Sequence, residues 1–108
     1  MTVKELSQLD FFEDVILCDG EREITGVYIG DLLSWVMGKA ESGDAWITIM
    51  SNLNILAVAT LTDTACIILA EGVTVDEEVI NTARQKEINI ISSKKSTYDT
   101  AVYLNSIL

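Results

Sequence analysis

An unbroken apolar run, residues 65–70 (ACIILA), lies in the second half of the chain. It contains no alternating polar positions, so neither face of a strand formed there would suit contact with water. Such runs are typical of strands in parallel sheets, because crossover connections place helices on both faces of a parallel sheet. The run therefore predicts a central, covered strand in an α/β fold.

The segments around this run alternate between strand-like and helix-like patterns. The strand-like segments are residues 14–18, 23–29, 45–50, 65–70 and 88–91. The helix-like segments begin near Thr2, at Leu32, at Ile55, after Thr74 and after Ser96. This order predicts one three-layer α/β domain over residues 1–108, with a mostly parallel sheet of about four to five strands flanked by helices.

Side chains that can cap a helix precede these helix-like segments. Thr2 with Glu5, and Thr74 with Glu77, have the spacing of a capping box. The other candidates for an N-cap are Asp31, Asn52 or Asn54, and Ser96.

Aromatic residues divide into one clear core candidate and several open cases. Trp46 falls within a predicted buried strand and is expected in the core. Trp35, Phe11 and Phe12 are harder to hide in a chain of 108 residues. For these three, a place in the core and a place in a dimer contact both remain open.

The charge balance and the missing residue types exclude several classes of function. The chain has 17 acidic against 7 basic residues, a formal charge of −10. Such a surface repels phosphate backbones and anionic lipids, so no nucleic-acid partner and no membrane surface are expected. The absence of histidine removes His-ligated metal sites and Ser-His or Cys-His catalysis. We predict no metal, no cofactor and no catalytic residue.

The cysteines and the first residues bear on the cellular compartment. Cys18 and Cys66 each lie in an apolar run and are expected to be reduced core residues rather than a disulfide pair. Glu5 and Asp10 interrupt the beginning of the chain, which does not match a signal peptide. Together these features predict a cytoplasmic protein.

Polar turns follow three of the predicted strands. Ligands of parallel sheets collect at the carboxyl ends of strands, beside helix N-termini. Adjacent lysines flanked by hydroxyls would suit a phosphate or a carboxylate there. In the alternative interpretation, these residues are only helix caps and solubilising surface. The candidate ligand-binding residues at these turns are Ser51, Asn52, Asn54, Gly72, Ser92, Ser93, Lys94 and Lys95.

A further segment, residues 21–28 (EREITGVY), resembles the signature of the DRTGG domain. The likeness continues through residues 30–34 (GDLLS), 43–48 (GDAWIT) and 54–59 (NILAVA). Three positions depart from the pattern: Glu21 replaces the leading Asp, Val27 replaces the second Gly, and Asn52 stands where relatives often carry His.

This resemblance adds three candidate site residues. Thr25 and Gly26 offer a hydroxyl and a close approach to the backbone, and Arg22 could bind an anion. Structural roles remain open for all three, because Gly26 can serve a bulge and Arg22 can form an ordinary ion pair.

DRTGG domains are similar to the N-terminal domain of HPr kinase/phosphorylase and to the first domain of Mur ligases. They also occur in phosphotransacetylases and between the CBS modules of regulated pyrophosphatases. The resemblance implies a non-catalytic regulatory domain, a homodimer, that lies near an adenine-nucleotide site or senses another small anion.

Stand-alone relatives are often encoded beside iron-only hydrogenase and sensor-kinase genes. That setting implies the alternative function, a protein-interaction or assembly module for a hydrogenase or signalling system, with no small-molecule ligand.

Overall fold

Five strands and five helices alternate along the computed structural model, which describes residues 1–108. The strands are β1 (Phe12–Ile16), β2 (Gly26–Ile29), β3 (Asp44–Thr48), β4 (Cys66–Leu69) and β5 (Ile90–Ser93). The helices are α1 (Val3–Ser7), α2 (Leu33–Lys39), α3 (Asn54–Thr62), α4 (Glu77–Lys86) and α5 (Thr97–Ile107).

All five strands form a single sheet in the order β1-β5-β4-β3-β2. The last four strands of the sequence are parallel to one another, and β1 joins the edge antiparallel to β5. Every residue of the central strand β4 is buried. This confirms the mostly parallel α/β sheet and the covered strand that residues 65–70 predict.

Helices cover both faces of the sheet and produce three layers. On one face, α2, α3 and α4 pack against a core that includes Trp46, Ile67 and Ile90. On the other face, α1 and α5 pack against Ile47 and Ile68. The Trp46 indole is fully buried, and its Nε1 donates a hydrogen bond of 2.9 Å to the Gly30 carbonyl. Trp46 therefore lies in the core, as predicted.

The strands also begin and end at two opposite sides of the sheet, which are distinct from its outer strands β1 and β2. We call the edge where β2 to β5 end the carboxyl edge, and the edge where they begin the amino edge. Because β1 is antiparallel, Phe12 pairs with Ser93 and the start of β1 also lies at the carboxyl edge. Ser51, Gly72 and Ser93 follow or end neighbouring parallel strands and share the carboxyl edge.

Two predicted helix caps are confirmed. The Thr2 hydroxyl accepts from the Glu5 amide, while the Glu5 carboxylate accepts from the Thr2 amide, which completes the capping box. The Ser96 hydroxyl accepts from the Asp99 amide at 3.0 Å and caps α5.

Asp31 and Thr74 do not cap helices as predicted. Asp31 Oδ1 accepts instead from Thr48 Oγ1 and from the Ile49 amide, so the carboxylate is used at the end of β3 rather than at the first turn of α2. At α4 the cap is Asp76, whose carboxylate accepts from the Val79 amide at 3.2 Å. A carboxylate at a helix N-terminus is favoured by the helix dipole as well as by the hydrogen bond.

Neither Asn52 nor Asn54 caps α3. The N-cap position is Leu53, which offers no side-chain acceptor. Asn52 Oδ1 accepts from the Asn54 amide at 2.9 Å and closes the turn ahead of the helix.

The prediction of two core cysteines is right for Cys66 and wrong for Cys18. Cys66 is fully buried in β4, and burial raises the pKa of its thiol to about 12. Cys18 is exposed because it follows β1, an edge strand with no neighbour on its outer side. Both thiols are free.

The three aromatic residues for which the sequence predicts either a core position or a dimer contact differ in their burial. Phe12 is buried, Phe11 is half-buried and Trp35 is 59% exposed on α2. None of the helices combines the length and apolarity needed to span a bilayer.

Candidate functional site

Arg22 clamps the connections at the amino edge. Its Nη1 and Nη2 donate to the two carboxylate oxygens of Asp63, each at 3.1 Å. Nη2 also donates to the Asp63 carbonyl at 2.9 Å and to Ser42 Oγ at 3.3 Å. Asp63 is the C-cap of α3, so the guanidinium also meets the negative end of that helix. The Arg22 guanidinium is therefore occupied by hydrogen bonds to other residues of the same chain.

The same contacts govern the ionisation of Asp63. Hydrogen bonds from Arg22 first, and then from Ser42, hold the pKa of the Asp63 carboxyl below its ordinary value of 3.8. Ser42 Oγ donates to Asp63 Oδ2 at 2.5 Å. The charged carboxylate is thus the form that the amino edge requires.

Thr25 and Gly26 pack the amino edge tightly. The Thr25 amide donates to the Gly43 carbonyl at 2.9 Å. A Cβ on Gly26 would lie 2.5 Å from Asp44 Oδ1, and a Cβ on Gly43 would collide with the Thr25 hydroxyl. Gly43 also has φ +88°, a backbone conformation that is unfavourable for residues other than glycine. Both residues of the Thr-Gly pair therefore have a structural use here.

Asn89 binds the backbone of two connections at this edge. Its Oδ1 accepts from the Cys18 and Asp19 amides, each at 2.8 Å. Its Nδ2 donates to the Asp19 carbonyl at 2.8 Å and to the Ala65 carbonyl at 3.0 Å. The cavity nearby is small, about 160 Å³. Arg22, Asp63 and Asn89 are therefore all engaged in hydrogen bonds within the fold.

At the carboxyl edge, side chains of the protein itself accept hydrogen bonds from the first amides of α5. Glu71 Oε2 accepts from the Thr97 amide at 3.0 Å, and the Glu71 amide donates to the Lys95 carbonyl at 2.8 Å. The Gly72 amide donates to the Ser93 carbonyl at 3.0 Å. An anion at this helix end would have to replace the Glu71 carboxylate. Sequence reasoning places Glu71 in a polar turn after an apolar strand but gives it no role in the site.

The two serines of β5 are used within the fold. Ser93 is fully buried, and its hydroxyl shares a hydrogen bond of 2.7 Å with Thr100 Oγ1. Ser93 Oγ also accepts from the Lys95 amide at 3.2 Å. Ser92 Oγ lies 3.5 Å from the Glu13 carbonyl. The lysines are therefore the accessible polar groups of this turn.

Lys94 and Lys95 differ in their partners. Lys94 Nζ lies 3.2 Å from Glu13 Oε1, in an exposed pair. Lys95 Nζ lies 5.6 Å from the centroid of the Phe11 ring, and no carboxylate is within 4.0 Å of it. Lys95 is thus a cation whose charge is not neutralised by a neighbouring side chain.

The remaining candidates lie further along the carboxyl edge. Ser51, Asn52 and Asn54 line a cavity of about 360 Å³ together with Asp76 and Glu78. The two carboxylates oppose an anion at that position.

The candidate ligand-binding residues therefore fall into three groups. Gly72, Ser92, Ser93, Lys94 and Lys95 lie around the end of β5, and Ser51, Asn52 and Asn54 lie after β3. Arg22, Thr25 and Gly26 lie at the opposite edge of the sheet.

Comparisons with known proteins agree with this architecture. The model of the DRTGG domain matches residues 13–107. A similar solved structure comprises the CBS and DRTGG domains of the regulatory region of a Clostridium perfringens pyrophosphatase, complexed with the activator diadenosine tetraphosphate. The TM-score is 0.67 at 17% identity, and the match covers 94% of this chain and 47% of that one, about half its length. Among curated proteins, none matches this chain in sequence.

Proposed function

Because the chain belongs to the DRTGG domain family, we propose that it is a regulatory module that binds a small anionic ligand, an adenine nucleotide. In the proposal the module catalyses no reaction itself. The similar pyrophosphatase regulatory region, which is complexed with diadenosine tetraphosphate, supports this assignment.

The observation that carries the proposal is the Lys94-Lys95 pair at the carboxyl edge. The chain has only 7 basic residues against 17 acidic ones, so adjacent exposed cations stand out in its electrostatic field. Lys95 has no carboxylate partner, and its ammonium is free to meet a phosphate. Most of the remaining surface repels anions, which favours binding at this one place.

Three finer features belong to the same proposal. Residues 1–108 act as a single DRTGG-like domain, related to the N-terminal domain of HPr kinase/phosphorylase and to the first domain of Mur ligases. The working unit is a homodimer. It acts by binding its ligand and altering how it contacts a partner.

A thermal-shift measurement tests this function. AMP, ATP and diadenosine tetraphosphate should raise the melting temperature by mass action if they bind the folded chain. Replacing Lys94 and Lys95 together by alanine should abolish the shift, while a charge-matched control, Lys39→Ala with Lys86→Ala, should keep it. Absence of a shift with all three nucleotides would overturn the proposal.

A protein-interaction module is the second candidate, and exposed apolar residues favour it. Val27 and Ile29 of the edge strand β2 are 38% and 47% exposed. A groove of about 450 Å³ runs beside them, lined also by Ala101, Leu104 and Leu108. Patches of this kind on small domains mark interfaces. Such a module would assemble with a hydrogenase or signalling partner.

Light scattering separates this candidate from the first. A dimer that becomes a monomer on Ile29→Asp, in a chain that no nucleotide stabilises, would favour assembly over sensing. A monomeric wild-type chain would count against the homodimer in both candidates.

A further inference from the structure

A groove between the start of β1 and α5 places two aromatic rings beside Lys95. Its volume is about 290 Å³, close to the lower end of small-molecule sites, roughly 300 Å³. We call it the aromatic groove; its lining residues are Phe11, Lys95, Asp99, Val102, Tyr103 and Ser106. We infer that the aromatic groove holds the planar base of a nucleotide, with the phosphate at Lys95. This inference rests on the proposed function, because it states where that ligand binds.

The rings of the aromatic groove support one another. The centroids of Phe11 and Tyr103 are 5.0 Å apart in an edge-to-face arrangement. Phe12 is buried behind them, with its centroid 4.7 Å from that of Phe11. A base can stack on such a platform whatever its identity, because every base has a flat π-face. Since the rings are already packed, binding needs little ordering of side chains.

The backbone at Phe11 fixes the position of its ring. Phe11 has φ +56°, in the left-handed region that a bulky residue rarely adopts. Its carbonyl accepts a hydrogen bond of 3.3 Å from the Lys94 amide. The ring and the two lysines are therefore held in one local unit. Strained positions of this kind cluster at binding sites.

Charges at the aromatic groove set the direction of the ligand. Lys95 Nζ lies over the Phe11 ring, at 5.6 Å from its centroid. A base that stacks on this ring displaces the ammonium sideways, where it meets the phosphate beside the base. Asp99 is the only acidic residue that lines the groove. Its carboxylate repels a phosphate and accepts hydrogen bonds from the amino group of a base. A base bearing an amino group fits this arrangement.

Calorimetric titration with AMP tests the inference. Tyr103→Ala removes one ring, and Phe11→Gly removes the other while relieving the left-handed backbone. Each should weaken AMP binding roughly tenfold or more, the range for loss of one stacking partner. Tyr98→Ala is the matched control, because Tyr98 is 76% exposed on the same helix and does not line the groove. Amide NMR spectra check that each variant is folded.

The outcomes separate the groove from the broader proposal. If the wild-type chain and Tyr98→Ala bind AMP equally and the groove variants bind it weakly, the inference is supported. If the folded groove variants bind AMP as the wild type does, the placement of the base in the aromatic groove is wrong, while the proposed nucleotide sensing is unaffected. If the wild type binds none of AMP, ATP or diadenosine tetraphosphate, both the groove and the proposed function fall.

Discussion

Arg22 and Asp63 form a bidentate pair across 41 positions of sequence, with both nitrogen–oxygen distances at 3.1 Å. Paired parallel hydrogen bonds of this type fix orientation as well as distance. The pair joins the connection before β2 to the loop between α3 and β4. The signature segment therefore stabilises the amino edge of the sheet, away from the lysines.

Removal of this clamp should destabilise the fold. Arg22→Ala should lower the free energy of unfolding by about 1 kcal/mol, a modest value because the Asp63 carboxylate is largely exposed. Urea denaturation measures the change. The control is Arg84→Ala, whose guanidinium reaches only Asn81 Oδ1 on its own helix. Equal losses in the two variants would show that Arg22 is an ordinary surface residue.

The clamp should also make stability depend on pH. Because the pKa of Asp63 is lowered in the folded chain, its stabilisation is complete above the ordinary value of 3.8 and is lost as the pH falls through the folded pKa. Asp63→Asn removes the titration and keeps a residue that tolerates the left-handed backbone at this C-cap. The difference in unfolding free energy between wild type and Asp63→Asn should therefore shrink in acid. A difference that stays constant across this range would contradict the linkage.

Gly26 should accept a methyl group only at a cost in stability. Gly26→Ala places a Cβ about 2.5 Å from Asp44 Oδ1 and should cost roughly 1–3 kcal/mol. Gly38→Ala is the matched control, since nothing lies within 4 Å of its Cβ position. In α2 that change should be stabilising, by roughly 0.5–1 kcal/mol. Thermal denaturation of both variants gives the comparison, and a harmless Gly26→Ala would refute the packing argument.

The two thiols should react at very different rates. Cys18 is exposed, whereas Cys66 is fully buried with its pKa raised to about 12. A thiol reagent should label the folded chain at Cys18 and reach Cys66 only after unfolding. Desolvation raises the pKa of Cys18 as well, so its labelling should accelerate with rising pH. Labelling of folded Cys18→Ser at the wild-type rate would contradict this assignment.

Sequence patterning predicts the sheet better than it predicts the caps. Residues 65–70 identify β4 because only a doubly covered strand suits an unbroken apolar run. Local patterning predicts Asp31 as a helix cap because the residues after it favour a helix. Asp31 Oδ1 instead accepts from Thr48 Oγ1 and the Ile49 amide, seventeen and eighteen positions away. Local sequence patterns contain no information about donors that distant.

The same limit applies to the site. The lysine turn could be found from composition, because two adjacent cations are unusual in this chain. Ser93 is buried, and the Glu71 carboxylate accepts from the first turn of α5. Both features depend on how neighbouring strands align. The approach of Tyr103 to Phe11 depends on how α5 crosses the sheet. None of these is encoded at short range.

An amide NMR titration with AMP tests most directly whether the ligand site and the signature lie at opposite edges. We expect the largest shift changes at Phe11, Lys94, Lys95 and Tyr103, with Arg22, Thr25 and Gly26 unchanged. Changes concentrated at Arg22, Thr25 and Gly26, or no changes at saturating nucleotide, would contradict the account.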